Sequence, residues 1–307
     1  MRSVVIGASG FIGSHLVDGL LASGWQVLAL ARQLPGLLGA QALSHSALRL
    51  QSLDMADAAG LQREVCGADL VVHLASGSLP HSSNRDPQLD VRVNLLGALN
   101  VLEACRLGGV GRLMLVSSGG TVYGVPRQVP VAEDHPTDPT CSYGITKLAI
   151  EKYVALYRQL HGLDGMVLRV ANPYGERQRL DAAQGVVPVF LGRALHGQPL
   201  EIWGDGSIVR DFLHISDLVA ALLAAAGYQG QERLFNVGSG QGLSLRALVG
   251  LLEAEFNRTL EVRYHPARSF DVATNVLCIE RARHCLAWSP QVPVAEGLRR
   301  LRLSLGG

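Results

Sequence analysis

The chain has 307 residues, 48% of them apolar, enough for one large domain or two unequal ones around a substantial core. Twenty-seven basic against 26 acidic side chains leave a net charge of +1 with no basic stripe, which argues against a nucleic-acid partner. Gly7, Gly10, Gly13, His15 and Asp18 interrupt the apolar N-terminus, and no run reaches the roughly 18 to 20 apolar residues of a membrane span, so a cytoplasmic protein with no membrane partner is expected.

Residues 2–7 form a short apolar run without alternation, the pattern of a strand buried on both faces of a parallel sheet. Residues 11–23 then carry Ile12, Leu16, Leu20 and Leu21 at the spacing of a helix that packs one face on that sheet. Between them lies Gly7-Ala8-Ser9-Gly10-Phe11-Ile12-Gly13. Gly7 suits a tight turn, Gly10 a close backbone approach to a pyrophosphate, and Gly13 close packing of the helix on the sheet, although the spacing is GxxGxxG rather than GxGxxG. With Phe11 and Ile12 these glycines make a candidate dinucleotide site, because they follow a strand and open a helix.

A second strand, residues 25–31, runs into Leu30-Ala31-Arg32. No carboxylate stands there to take ribose hydroxyls, and Arg32 can pair with a 2′-phosphate, so the cofactor is NAD or NADP with the balance toward NADP. Past a third strand at 48–50, Asp54 is placed to accept from the adenine amino group. A fourth, at 70–74, ends in His73-Leu74-Ala75, where Leu74 and Ala75 flank the cofactor and His73 reads as structural. The helical stretch 89–107 carries Asn94, expected to steady the backbone near the active site.

A fifth strand, 113–117, leads into Ser117-Ser118-Gly119-Gly120-Thr121-Val122-Tyr123-Gly124; a helix at 143–160 and a strand at 166–170 follow. This alternation implies right-handed crossovers and a Rossmann-like, doubly wound α/β sheet. After Asn172-Pro173-Tyr174-Gly175 the rhythm changes to loops, short helices and short strands. The expected division is a dinucleotide-binding part, residues 1–172, and a smaller α/β substrate-binding part, residues 173–307. Residues 213–241, with a helix at 215–226 and a strand at 233–237, are expected to return to the first. The five cysteines (Cys66, Cys105, Cys141, Cys278, Cys285) are scattered without CxxC spacing, which indicates neither disulfides nor a metal site.

Tyr143 and Lys147 lie four apart on a helix, so both side chains project from one face. Bringing a tyrosine from a pKa of about 10 to about 7 takes roughly 4 kcal/mol. Lys147 together with an oxidised nicotinamide cation is expected to supply it, making Tyr143 the acid–base group.

With GASGFIG, His73-Leu74-Ala75, Val122-Tyr123-Gly124, Tyr143 and Lys147, Asn172-Pro173-Tyr174-Gly175-Glu176-Arg177-Gln178 and Gly204-Asp205-Gly206-Ser207-Ile208-Val209-Arg210-Asp211-Phe212, the chain resembles the extended short-chain dehydrogenases/reductases of the nucleotide-sugar epimerase/dehydratase group. Within that group it resembles the UDP-glucose 4-epimerases. The resemblance implies that Asn172 contacts a sugar diphosphate, that Arg210 grips a phosphate oxygen, and that Arg268 and Asp271 hold the diphosphate and ribose. It implies that Trp203 stacks near a uracil. It also implies a homodimer in which the helices near 89–107 and 143–160 pack against a partner's copy as a four-helix bundle.

One position departs from the pattern. The family places Ser or Thr where this chain has Gly119. By strand alternation Ser117 and Thr121 share parity with Gly119 and Ser118 faces away, so Thr121 is the expected substitute hydroxyl, with Ser118 the alternative. Gly120 and Thr121 offer no carboxylate, which disfavours dehydration of the sugar. The leading expectation is therefore 4-epimerisation of a UDP-hexose through a transient 4-keto sugar. An NADPH-dependent nucleotide-sugar 4-ketoreductase and a non-catalytic cofactor-sensing module are the alternatives, and the pair Tyr143 and Lys147 argues against the last.

Overall fold

Five apolar runs, a more polar edge strand and one later strand build the central sheet of the protein, whose computed structural model describes residues 1–78, 80–180, 185–268 and 271–306. They are β1 (Arg2–Ile6), β2 (Gln26–Ala31), β3 (Leu48–Ser52), β4 (Leu70–His73), β5 (Arg112–Ser118) and β6 (Gly165–Val170). After β7 (Asn172–Tyr174), β8 (Leu200–Trp203) and β9 (Val209–His214), the chain returns in β10 (Leu234–Val237) to pair with β6. The sheet order is β10-β6-β5-β4-β1-β2-β3, and every pairing in it is parallel.

Period-2 alternation sends neighbouring side chains to opposite faces. Val4 and Val71 therefore enter one apolar cluster while Val5 and Val72 enter the other, and all four are fully buried. A sheet buried on both faces needs apolar residues without alternation, which is what β1 and β4 have. The helix Phe11–Ala22 covers one face with Leu16, Val17, Leu20 and Leu21, and the helix Ile215–Gly227 packs beside it. A third apolar cluster, with Phe190, Leu191, Ile202, Phe212, Leu248 and Leu298 among its members, lies among the later elements. There β9 is flanked by β7, by β11 (Gly242–Ser244) and by β13 (Thr274–Asn275), while β12 (Val262–His265) pairs with β8.

Two helices matter for the site. Ser142–His161 ends on Gly162, whose left-handed φ of 69° lets its N–H reach the Arg158 carbonyl at 3.1 Å. The stretch 89–107 is not one regular helix: Pro87–Asp90 passes into a π-helical segment, Val91–Leu96, before Gly97–Leu107. Widened turns of this kind recur at functional positions; this one carries the buried Asn94 and is preceded directly by the buried Asp90. Among the described residues no helix is long and apolar enough to cross a membrane, and no cluster of three or more His, Cys, Asp or Glu could hold a metal ion.

Candidate active site

The loop between β1 and the first helix is shaped by its glycines. Gly7 has a left-handed φ of 93°, and a Cβ there would lie 2.8 Å from the Ala75 nitrogen. A Cβ on Gly13 would lie 2.2 Å from the Gly7 carbonyl oxygen, so the first helical turn sits directly on the loop. That helix starts at Gly10 with no side-chain cap and no acidic residue in its first turn, leaving its N-terminal dipole open to an anion.

A cavity of about 840 Å³ runs over this loop. Arg32, Asp54 and Met55 line one end, Gly7, Gly10, Phe11, Ile12 and Gly13 its middle, and Leu74, Ala75, Ser118, Thr121 and Tyr143 the other. A long groove with a glycine-lined centre fits a dinucleotide. At its far end Arg32 is exposed and makes no ion pair with another described residue, while one Asp54 oxygen already accepts from the Ala56 N–H at 2.9 Å. Two of the sequence candidates stand behind the cavity wall rather than in it. Asn94 accepts from the Gly77 N–H at 2.7 Å, and Lys147 donates through Nζ to the Val116 carbonyl at 3.1 Å.

Lys147 Nζ lies 5.7 Å from the centre of the Tyr143 ring. The protein's own groups do not lower the phenol as the sequence suggests. Burial pushes Tyr143 up to about 12, with Cys141 and Asp90 adding to the rise and a hydrogen bond with Ser76 opposing it. Burial brings Lys147 down to about 8 against the pull of Glu151 and Asp90. The reason is that both groups are buried in one dry site, where desolvation is the largest influence on each. A further positive charge is needed to bring the phenol into range. His73, also deep in the core, is held neutral at about 3, by burial first and by Lys147 second.

Behind Lys147 one helical turn on, Glu151 forms a buried ion pair with Arg169 at 2.7 Å and accepts from Ser117 Oγ. Ser117 thus faces the interior, whereas Ser118 lines the cavity. The strand ends at Ser118, and residues 119–121 turn, with the Val122 N–H on the Ser118 carbonyl at 3.1 Å. Ser118, the last strand residue, lies opposite Ser117 and on the cavity side, while strand parity no longer applies to residues 119–121, so Thr121 lines the cavity as well. Thr121 Oγ1 is buried with no hydrogen-bond partner, a cost that a site hydroxyl offsets only when something bonds to it. Gly119 has a steric cause: a Cβ there would come 2.6 Å from Leu277 Cδ1, in a fully buried side chain.

A second cavity, of about 560 Å³, gathers Asn172, Trp203, Arg210, Arg268 and Asp271, the five residues implied for a sugar nucleotide. It shares Asn172, Pro173 and Gly185 with the first, so the two meet next to the end that holds Tyr143. Arg210 is steadied by the Val209 and Val272 carbonyls at 2.9 and 2.7 Å. The Arg268 guanidinium lies 3.7 Å from the centre of the Trp203 ring, which also stacks on His265 at 5.1 Å. Asn172 donates to the Asp211 carbonyl at 2.9 Å, and the buried Asp211 carboxylate ties β9 to the Ser239 and Leu277 N–H groups at 2.6 and 3.2 Å.

Sequence reasoning passed over Ser76, Asp90 and the Glu151–Arg169 pair. A signal existed for Asp90, a carboxylate four residues before Asn94 in a largely apolar stretch. None existed for Ser76, which only the fold brings to Tyr143.

A family model described as the NAD dependent epimerase/dehydratase family matches residues 3–238. Over 306 residues the chain is 38% identical to a UDP-glucose 4-epimerase of Mycolicibacterium smegmatis, covering 98% of this chain and 97% of that protein. Among solved structures it is similar to the UDP-glucose 4-epimerase of Thermotoga maritima with UDP-glucose, with a TM-score of 0.93 and 33% identity over 100% of this chain and 99% of that one. It is also similar to the Thermus thermophilus UDP-glucose 4-epimerase in complex with NAD, with a TM-score of 0.90 and 34% identity over 100% and 99%.

Proposed function

The chain belongs to the NAD dependent epimerase/dehydratase family, and from that premise we propose that it is a UDP-hexose 4-epimerase working through a transient 4-keto sugar. The observation that carries the reading is the meeting of the two cavities at Asn172 and Pro173, beside the end that Tyr143 lines. In this reading residues 1–172, with 213–241, hold the dinucleotide, and 173–307 hold the nucleotide sugar.

Bound oxidised nicotinamide would supply the acceptor for the C4 hydrogen and the positive charge that the phenol lacks. Tyr143 takes the O4 proton and later returns it, and Lys147 holds its positive charge beside the ring. Thr121, with Ser118 as the alternative, donates a hydrogen bond to O4. Arg210 and Arg268 grip the diphosphate, Asp271 and Trp203 the nucleoside, and Asn172 the junction. Holding the substrate mainly by its nucleotide end leaves the hexose able to turn and present its other face.

Arg32, exposed and in no ion pair with another described residue, supports a preference for NADP over NAD. Two further parts of the reading rest on exposed and unpaired groups. Leu89, Val91, Leu96 and Leu107, with Ile145, Tyr153, Leu156 and Leu160 on the neighbouring helix, leave an apolar face that supports a homodimer built as a four-helix bundle. Five free cysteines support a cytoplasmic site of action, where thiols stay reduced.

The test is turnover by the purified protein without added cofactor. UDP-glucose and UDP-galactose, or their N-acetyl counterparts, should interconvert, and Tyr143→Phe should abolish this. No turnover of any UDP-hexose, or steady consumption of free NADPH with a 4-keto sugar, rejects the reading. Mass spectrometry of the co-purifying nucleotide decides between NAD and NADP, and light scattering in solution decides the dimer.

A further inference from the structure

Asp90 lies at the junction of the helix Pro87–Asp90 with the π-helical segment and is 1% exposed. Its carboxylate accepts four side-chain hydrogen bonds. Oδ2 takes Ser142 Oγ and Thr146 Oγ1, each at 2.8 Å. Oδ1 takes Asn94 Nδ2 at 2.7 Å and also Ser78 Oγ. It forms no ion pair with another described residue. Burial pushes its pKa up, but the bonds from Ser78, Ser142, Thr146 and Asn94 together hold it below the usual carboxylate value, so it is ionised at neutral pH.

The donors are not scattered. Ser142 immediately precedes Tyr143, and Thr146 immediately precedes Lys147, so one carboxylate oxygen fixes the rotation of the turn that presents both. The other oxygen, through Asn94, reaches the loop 76–78: Asn94 also donates to Ser78 Oγ at 2.7 Å and accepts from the Gly77 N–H at 2.7 Å. That loop lines the dinucleotide cavity, its Ser76 hydroxyl donates to the Ser78 carbonyl at 3.0 Å, and Ser76 is among the groups that act on the Tyr143 phenol. The neighbouring stretch caps the same helix, with Ser142 N–H on Asn84 Oδ1 at 2.8 Å and Tyr143 N–H on Ser83 Oγ at 3.0 Å.

We propose that Asp90 is a positioning residue for the proton-transfer step: its carboxylate clamps the first turn of the Tyr143 helix to the loop 76–78 and so sets the phenol over the cavity. The proposal rests on the epimerase reading for its rate effect and on geometry alone for its effect on Tyr143. The groups that face the phenol are Ser76, Cys141, Asp90 and Lys147, of which Asp90 and Cys141 push its pKa up.

Asp90→Asn keeps the size of the side chain, removes the charge and puts an NH₂ where one acceptor stood. In the full-length protein, kcat for a UDP-hexose should fall by about 10²-fold, the loss expected for a misplaced reacting group, while KM stays within about twofold because the diphosphate grip lies elsewhere. The phenolate absorbance of Tyr143, taken as the difference from Tyr143→Phe, should titrate at lower pH. Asp90→Glu, which restores the charge but not the reach, should return the titration toward that of the parent and leave kcat low. Unchanged kcat in a folded Asp90→Asn protein overturns the proposal. Should that variant fail to fold, Ser142→Ala with Thr146→Val tests the same clamp from its donor side, and unchanged kcat there overturns it equally. If the parent protein turns over no UDP-hexose, the epimerase reading fails by itself. Amide hydrogen exchange in the first turn of the Tyr143 helix and in the loop 76–78 then decides alone: faster exchange in Asp90→Asn upholds the clamp, and exchange at the parent rate overturns it.

Discussion

Replacing Lys147 with methionine should make the protein inactive and, at neutral pH, more stable. The ammonium is 4% exposed, and burial holds it at about 8 against an ordinary value of 10.5. At about 1.4 kcal/mol per pH unit, keeping it charged costs the fold about 3 kcal/mol. Methionine of similar length removes that cost but also the bond to the Val116 carbonyl, worth about 1 kcal/mol, so the net gain is about 2 kcal/mol. The pH dependence follows from the direction of the shift. Between pH 8 and 10.5 the unfolded chain holds a proton at this site that the folded chain has released, so the parent's stability rises with pH across that window. The variant lacks this rise. Its advantage should be full below pH 8 and shrink through the window, and above 10.5 the variant should be the less stable protein by about the 1 kcal/mol of the lost bond. Urea unfolding of both proteins across this range, at matched nucleotide occupancy, measures the difference. A variant that is less stable at neutral pH, or a difference that ignores pH, would refute the buried-ammonium argument.

Thr121→Val fills the same space without the unpartnered hydroxyl, so stability should rise by about 1 kcal/mol while kcat falls by about 10²-fold, with Ser118→Ala largely spared. The opposite pattern passes the role to Ser118. Gly13→Ala brings a methyl against the Gly7 carbonyl, and the cost of about 1–3 kcal/mol should come with loss of co-purified nucleotide, read by its absorbance after acid extraction. Nucleotide retained at the parent level would remove the loop from the cofactor site. Gly119→Ser runs into Leu277 and should destabilise by about 1–3 kcal/mol, with Leu277→Ala relieving it. A Gly119→Ser protein as stable as the parent contradicts the packing explanation for that glycine.

Period and local chemistry carried the sheet. Strands such as β1 and β4 are apolar on both faces because both faces are covered, and that demand is written residue by residue. The glycine loop was legible for the same reason, since a left-handed Gly7 and a helix pressed on its carbonyl tolerate nothing larger. What stayed hidden depends on segments far apart in the chain. Gly119 looks like lost chemistry until Leu277, from the other end of the chain, is seen in the space its side chain would take. Ser118 looks turned away until Ser117, its neighbour on the opposite face, is seen to bond the buried Glu151. The direction of the Tyr143 shift was hidden too, because two residues four apart report a shared face and not how dry it is. Desolvation is a property of everything packed around a group, so the motif names the candidate acid–base group while the fold sets the pH range in which it titrates. Because the chain's own groups leave the phenol near 12, the proposed reaction needs positive charge to arrive with the cofactor before Tyr143 can act as a base. A site so arranged would attack a sugar hydroxyl only when an oxidised nicotinamide stands ready beside it.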